Sequence, residues 1–252
     1  MSFRRKEIIL NKWIVGVVSL TISFTTAYVF LSLLYVANIN SINTLLNPYS
    51  DIVKWFFMNT VQYICIFSFM MLIQSIMGNL IVSGIVGGIL LLVPVYLLAI
   101  GQELVMRITK NSFIGIDKVV GWLNIYSYNS IQQNWFYTKT KNGDDIYSTS
   151  YYTDYGLKLF ILLILTCLFL YLAYVAYKNR KLEYNLRLIV LKKLEPIFIF
   201  GVSVCLGLLA GAICGFGYSN KSLSAFWLTT VIFTIVGYFV SKLLLRVLSF
   251  GK

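Results

Sequence analysis

The chain contains no histidine. That removes the side chain most used as a general base near neutrality, and with it the commonest nitrogen ligand for metals. Charge is scarce too: 12% of residues are Asp, Glu, Lys or Arg, where a soluble domain carries about 25%. No G-x-x-x-x-G-K-[ST] run is present, so nothing brings backbone amides and a lysine together on a nucleotide phosphate. Any ATP chemistry is expected in a separate chain. The four cysteines, Cys65, Cys167, Cys205 and Cys214, sit in apolar runs without C-x-x-C spacing. They read as small buried hydrophobes rather than as disulfides or zinc ligands. The apolar runs hold no paired carboxylates and no His–Glu helix motif. Ser68 and Ser83 have no His or Lys base near them on their own helices. Metal-assisted, aspartyl and serine hydrolysis are therefore not expected. The reading is of a chain that is not an enzyme, with no cofactor, no metal and no nucleic-acid partner.

What is present is apolar surface. Of 252 residues, 59% are hydrophobic, and the mean hydropathy is +0.80. One soluble core of this length could not hide that much, whereas lipid solvates it. A bilayer core about 30 Å thick needs about 20 apolar residues per helix. Six runs qualify, at roughly 13–36, 54–77, 79–101, 158–177, 196–218 and 223–245. Their charged residues are edge lysines: Lys54, Lys158 and Lys242. The expected fold is therefore all-α, a single transmembrane domain over 1–252 with about six spans. The second and third runs, separated by Met77, Gly78 and Asn79, read as a helical hairpin. No cleavable signal peptide is expected, because the first apolar run is too long and no small-residue cleavage site follows it.

The net charge of +12 is distributed unevenly. With the N-terminus inside, 13 basic and three acidic residues are cytoplasmic, and eight basic and six acidic residues are external. Positive residues collect on the cytoplasmic side, so both termini and the 178–195 segment are expected there. The longest connection, 102–157, is then external. It carries Trp122, Tyr126, Tyr128, Trp135, Tyr137, Tyr147, Tyr151, Tyr152 and Tyr155, amphipathic aromatics suited to a membrane–water boundary. It reads as an interfacial helix or a re-entrant segment, or in functional terms as a substrate gate. The 178–195 segment alternates basic clusters with Leu182, Leu186, Ile189 and Leu194. Such a strip suits an anionic inner leaflet or a cytosolic partner, or simply holds orientation.

Small residues recur at four-residue spacing: Ser203, Gly207, Gly211 and Gly215 on the fifth run, and Gly84 and Gly88 on the third. Such stripes let helices approach closely, within the chain or between subunits. Pro94 is expected to kink the third run. Gln62, Ser68, Gln74 and Ser75 give the second run a polar side, a candidate path lining or a face for a neighbour. No ionisable residue lies inside a span to couple protons or sodium, so energy for any transport is expected from outside the chain.

Two stretches carry a family resemblance. The first is SFRRKEIILNKWIVG, Ser2 to Gly16, in which Arg4, Arg5, Lys6, Glu7, Lys12, Trp13 and Gly16 stand at matching positions. The second is Tyr177 to Gly211, with Lys178, Arg180, Glu183, Pro196, Phe198, Gly207 and Gly211. Together they resemble the permease subunits of ABC-2-type ATP-driven exporters, in particular the Gram-positive acetoin-utilisation and antimicrobial-peptide group. The order of spans, long external segment and added helix pair is similar as well. The resemblance implies a cell-membrane export permease whose Arg4, Arg5, Lys6, Glu7 and Lys12 form the coupling contact with a cytosolic ABC ATPase. It also implies a second permease copy or homologue, and amphiphilic peptides, antibiotics or other small hydrophobic cargo. The family's first two membrane helices have no counterpart before Met1. The alternatives are a non-transporting scaffold or immunity-type protein that binds toxic peptides, and a passive channel.

Overall fold

The computed structural model describes residues 5–44, 46–109, 116–140, 143–179, 194–216 and 223–249. Six helices are long and apolar enough to cross a bilayer. In chain order the helices are α1 (Arg5–Ala37), α2 (Ser50–Ile76), α3 (Leu80–Thr109), α4 (Ile116–Leu123), α5 (Tyr155–Asn179), α6 (Glu195–Phe216) and α7 (Leu223–Ser249). All but α4 are membrane-length. The chain is an all-α polytopic membrane protein, as its composition leads one to expect. Large apolar side chains stand exposed along every long helix, among them Phe30 on α1, Ile81 on α3, Phe160 on α5 and Phe239 on α7. In water that surface would be untenable; in lipid it is the solvated face.

Helix ends run past the apolar runs. At about 1.5 Å per residue, α1 is about 50 Å long, so its basic first turns and its span are one continuous rod. Hydroxyls on this rod are satisfied locally. Thr21, Ser23, Thr25 and Thr26 each donate to the carbonyl four residues back, at 2.7–2.9 Å, which suits a helix surface facing lipid. Asn79 starts α3: its Oδ1 accepts from the Ile81 and Val82 amides at 2.9 and 3.3 Å, as an N-cap should. Pro94 lies inside α3, which continues to Thr109.

The long connection differs from its expected form. Helix α4 and a 3₁₀ turn at Ile125–Ser127 are followed by a two-stranded antiparallel hairpin, β1 (Gln132–Thr140) and β2 (Gly143–Tyr151). Its register runs from Gln132 opposite Tyr151 to Thr140 opposite Gly143. The strands are rich in aromatic and β-branched residues, which favour a pleated surface. Asp154, at φ 51°, turns the chain from the hairpin into α5; Asp is among the few residues that tolerate this left-handed conformation. The cysteines also depart from expectation. Cys65 is buried and Cys205 half-buried, but Cys167 and Cys214 are exposed on helix surfaces.

Contacts divide the chain into two units. One comprises residues 1–71 and 121–174, the other 72–120 and 175–252. In the first, an aromatic ladder joins α1 to α2: Phe24 against Trp55 and Tyr63, and Tyr28 against Phe56, with ring centroids 5.0–6.2 Å apart. Trp13 Nε1–H donates to Ser68 Oγ at 2.8 Å, tying the other end of α1 to α2. In the second unit, α6 and α7 make the closest helix pair in the chain. Tyr96 on α3 donates to the Cys205 carbonyl at 3.0 Å. Arg107, paired with Glu103 at 2.9 Å, reaches the Gly215 carbonyl near the end of α6, where a cation complements the helix dipole.

Candidate functional site

Within the first unit, Asn59 and Gln62 of α2 meet the turn that precedes the hairpin. Asn59 and Gln62 are one turn apart and both buried. Asn129 Nδ2 donates to Asn59 Oδ1 at 3.1 Å, and Gln62 Nε2 donates to the Tyr126 carbonyl at 3.3 Å. Asn124 holds the intervening turn by accepting the Tyr126 amide at 3.1 Å. Between these contacts Tyr128 is inserted, 2% exposed, against Met58 and Cys65 of α2 and Leu162 of α5. Its hydroxyl donates to the Trp122 carbonyl at 2.7 Å. A tyrosine fits this slot because its body is apolar and its tip finds a carbonyl.

Lys158 lies over the Tyr128 ring, with Nζ 5.7 Å from the centroid. It is 4% exposed. Its ammonium donates to Thr153 Oγ1 at 3.3 Å, and no described carboxylate lies within ion-pair distance. A buried ammonium needs compensation; here a hydroxyl and a ring face supply it. Burial pushes the Tyr128 phenol up, with a smaller push from the Cys65 sulfur. Burial also raises Tyr152, followed in size by Tyr155 and the charge of Asp51. Both phenols therefore stay neutral donors through the physiological range. The result is a plug: the turn around Tyr126–Asn129 is seated against α2 and α5 by one aromatic side chain and two amide contacts. Chemically it holds a segment in place.

The predicted site residues are distributed as follows. Gln62 and Ser68 are each engaged inside the chain with a neighbouring segment, Gln62 with the turn at Tyr126 and Ser68 with Trp13 of α1. Ser75 donates to the Leu72 carbonyl at 2.7 Å and is buried, while Gln74 is half-buried. Both belong to the other unit. The stripe on α6 lies against α7. A Cβ on Gly207 would meet Thr234 Oγ1 and come within 2.7 Å of the Thr230 carbonyl. On Gly211 it would meet Thr230 Oγ1, and on Gly215 the Phe226 Cβ at 2.5 Å. Ser203 faces Gly237. On α3 a Cβ on Gly84 or Gly88 meets no described atom of this chain within 4 Å. Ser83 and Gly87 are the buried pair there. Arg5 and Lys6 open α1, with Glu7 and Lys12 exposed. Arg4, the side chains of Arg5 and Lys6, and residues 180–193 of the basic segment lie outside the described residues.

The sequence reading missed Asn59, Asn129, Tyr128 and Lys158 as one cluster. The available signal was Asn59, three residues before Gln62 on the same face of a span. Family models, curated proteins and solved structures were compared with the chain, and none matches.

Proposed function

We propose that this chain is the membrane-spanning permease subunit of an ATP-driven exporter. It would lie in the cell membrane with both termini cytoplasmic and work with a separate ABC ATPase and a second permease copy or homologue. Its cargo would be amphiphilic peptides, antibiotics or other small hydrophobic molecules. The observation that carries this reading is α1. A charged start, with Glu7 and Lys12 exposed, continues without a break into a span over Arg5–Ala37. A push on those first turns by a soluble partner would pass along a rigid rod, and the Trp13–Ser68 bond would pass it on to α2. The resemblance of Ser2 to Gly16 to the coupling segment of ABC-2-type permeases supports the same assignment, and the charge split supports the orientation.

In this reading Arg4, Arg5, Lys6, Glu7 and Lys12 make the coupling contact. Glu7→Lys separates that role from simple positive-inside orientation. The added positive charge preserves orientation, but it places like charge against the partner's basic site, at a cost of about 1–3 kcal/mol if the pair is desolvated. Insertion is checked first: an impermeant thiol reagent should label Asn142→Cys and spare Asn185→Cys in intact cells. Recovery of the ATPase with the Glu7→Lys chain is then expected to fall about tenfold or more. Equal recovery from wild type and variant would reduce the cluster to an orientation signal.

A further inference from the structure

A second feature of the first unit adjoins the plug through Tyr152, which packs against its buried cluster, and has no part in the coupling contact. Where α1 ends and α2 begins, a cavity of about 260 Å³ opens at the surface, walled by Tyr35, Trp55 and Tyr152 with Leu31 and Ile52. Asp51 is the one charged residue among those lining it. The Asp51 carboxylate is paired with Lys54 at 3.3 Å, but both are partly exposed, with side chains 31% and 46% accessible. A surface pair of that kind is worth little and exchanges readily. The walls are held in place. Tyr35 donates to the Asn47 carbonyl at 3.1 Å and packs edge-on to Tyr49 at 5.5 Å. Tyr49 is in turn bound to Tyr28 and Ser32 at 2.7 and 3.0 Å. The Tyr152 hydroxyl is screened from solvent and has no hydrogen-bond partner among the described residues.

Three aromatic walls around a single carboxylate match one ligand chemistry. Ring faces attract a cation whose charge is spread over methyl groups, and the carboxylate supplies the counter-charge. The cavity is slightly smaller than a drug-sized site of about 300–1,000 Å³, so it accepts a head group rather than a whole ligand. We infer that this cavity binds the quaternary ammonium head of a lipophilic cation, with Asp51 as counter-ion and Tyr35, Trp55 and Tyr152 as the aromatic walls. The inference does not depend on ATP, an ATPase or transport.

The test is equilibrium binding of radiolabelled benzyltrimethylammonium to the full chain in nanodiscs of phosphatidylethanolamine and phosphatidylglycerol. Saturable binding is expected, and neopentylbenzene, the neutral molecule of the same shape, should not compete. Asp51→Asn should weaken binding about tenfold, and Trp55→Leu should weaken it severalfold. Lys54→Gln should tighten binding, because it releases Asp51 from its competing partner. A merely structural ion pair would instead make Asp51→Asn and Lys54→Gln equally harmful. Discs containing phosphatidylcholine distinguish the source. Displacement of the probe there assigns the site to a lipid choline head group, and retention assigns it to a soluble amphiphile; both keep the quaternary ammonium chemistry. Absence of saturable binding, unchanged affinity in Asp51→Asn, equal loss in both charge variants, or equal competition by neopentylbenzene would overturn the inference.

Discussion

Gly211→Ile is expected to lower the thermal stability of the purified chain by roughly 5–10 °C, whereas Gly84→Ile leaves it unchanged or slightly raised. The two glycines look alike in the sequence, each spaced four residues from another small residue. Their surroundings differ. The first atom of a side chain on Gly211 would collide with Thr230 Oγ1 and sit 3.0 Å from the Phe226 carbonyl oxygen. Backbone cannot rotate away as a flexible side chain can, so α6 and α7 would have to separate. In a membrane no hydrophobic force restores the pair, since lipid is as apolar as the side chains; close van der Waals contact is what holds it. Parting the helices by even a fraction of an ångström forfeits much of that contact. Overpacking of this kind costs about 1–3 kcal/mol, sometimes more. Around Gly84 a new side chain meets no atom within 4 Å, and isoleucine has the better helix propensity. Unfolding curves in mild detergent compare the two. Equal loss in both variants would mean that the α6–α7 contact is not what makes Gly211 special.

Tyr128→Ala should cost about 3–5 kcal/mol, the range for emptying an aromatic side chain from a packed site. It should also release the turn that carries it. Tyr128 is the one residue outside the membrane-length helices in the buried cluster with Met58, Cys65 and Leu162, and its ring lies beside the Lys158 ammonium. Tyr128→Phe keeps the ring and loses only the bond to the Trp122 carbonyl, worth about 1 kcal/mol. Cys65 reports the difference. It is fully buried in the native chain, and the plug lies on the same cluster. With Cys167, Cys205 and Cys214 replaced by alanine, a small maleimide should label Cys65 quickly in Tyr128→Ala and slowly in both Tyr128→Phe and the otherwise native chain. Slow labelling in all three would show that the turn stays seated without its tyrosine.

Much of the fold was legible because lipid imposes a simple rule: a run of about 20 apolar residues must be a helix, since no other open structure satisfies its own backbone in hydrocarbon. All six spans follow from that. Helix ends were less legible. The turns at Arg5–Lys12 and Gly101–Thr109 are polar, and they continue the helix only because the span has already nucleated it. The hairpin had a signal that went unread. Aromatic and β-branched residues dominate Trp135–Thr138 and Ile146–Thr149, a composition that favours strands, but the strong aromatic content pointed first to the membrane surface. The plug was hidden for a different reason. Asn59 and Asn129 are 70 residues apart, and Tyr128 meets Cys65 only once α2 and α5 are side by side. Nothing local marks one tyrosine among 18 as the buried one. On α3 spacing alone did not separate Gly84 and Gly88, which face no described atom of this chain, from Ser83 and Gly87, which are buried within it.

The central claim is that this chain moves cargo only when a separate ATPase drives it. The direct measurement is reconstitution of the chain into vesicles, alone and together with any ABC ATPase recovered with it from its host membrane, followed by transport of a fluorescent amphiphilic peptide. The account predicts no ATP turnover and no transport by the chain alone, and ATP-dependent transport when both are present, abolished by an inactivating substitution in the ATPase. Conductance or transport by the chain alone, or a complete reconstitution in which ATP changes nothing, would contradict it.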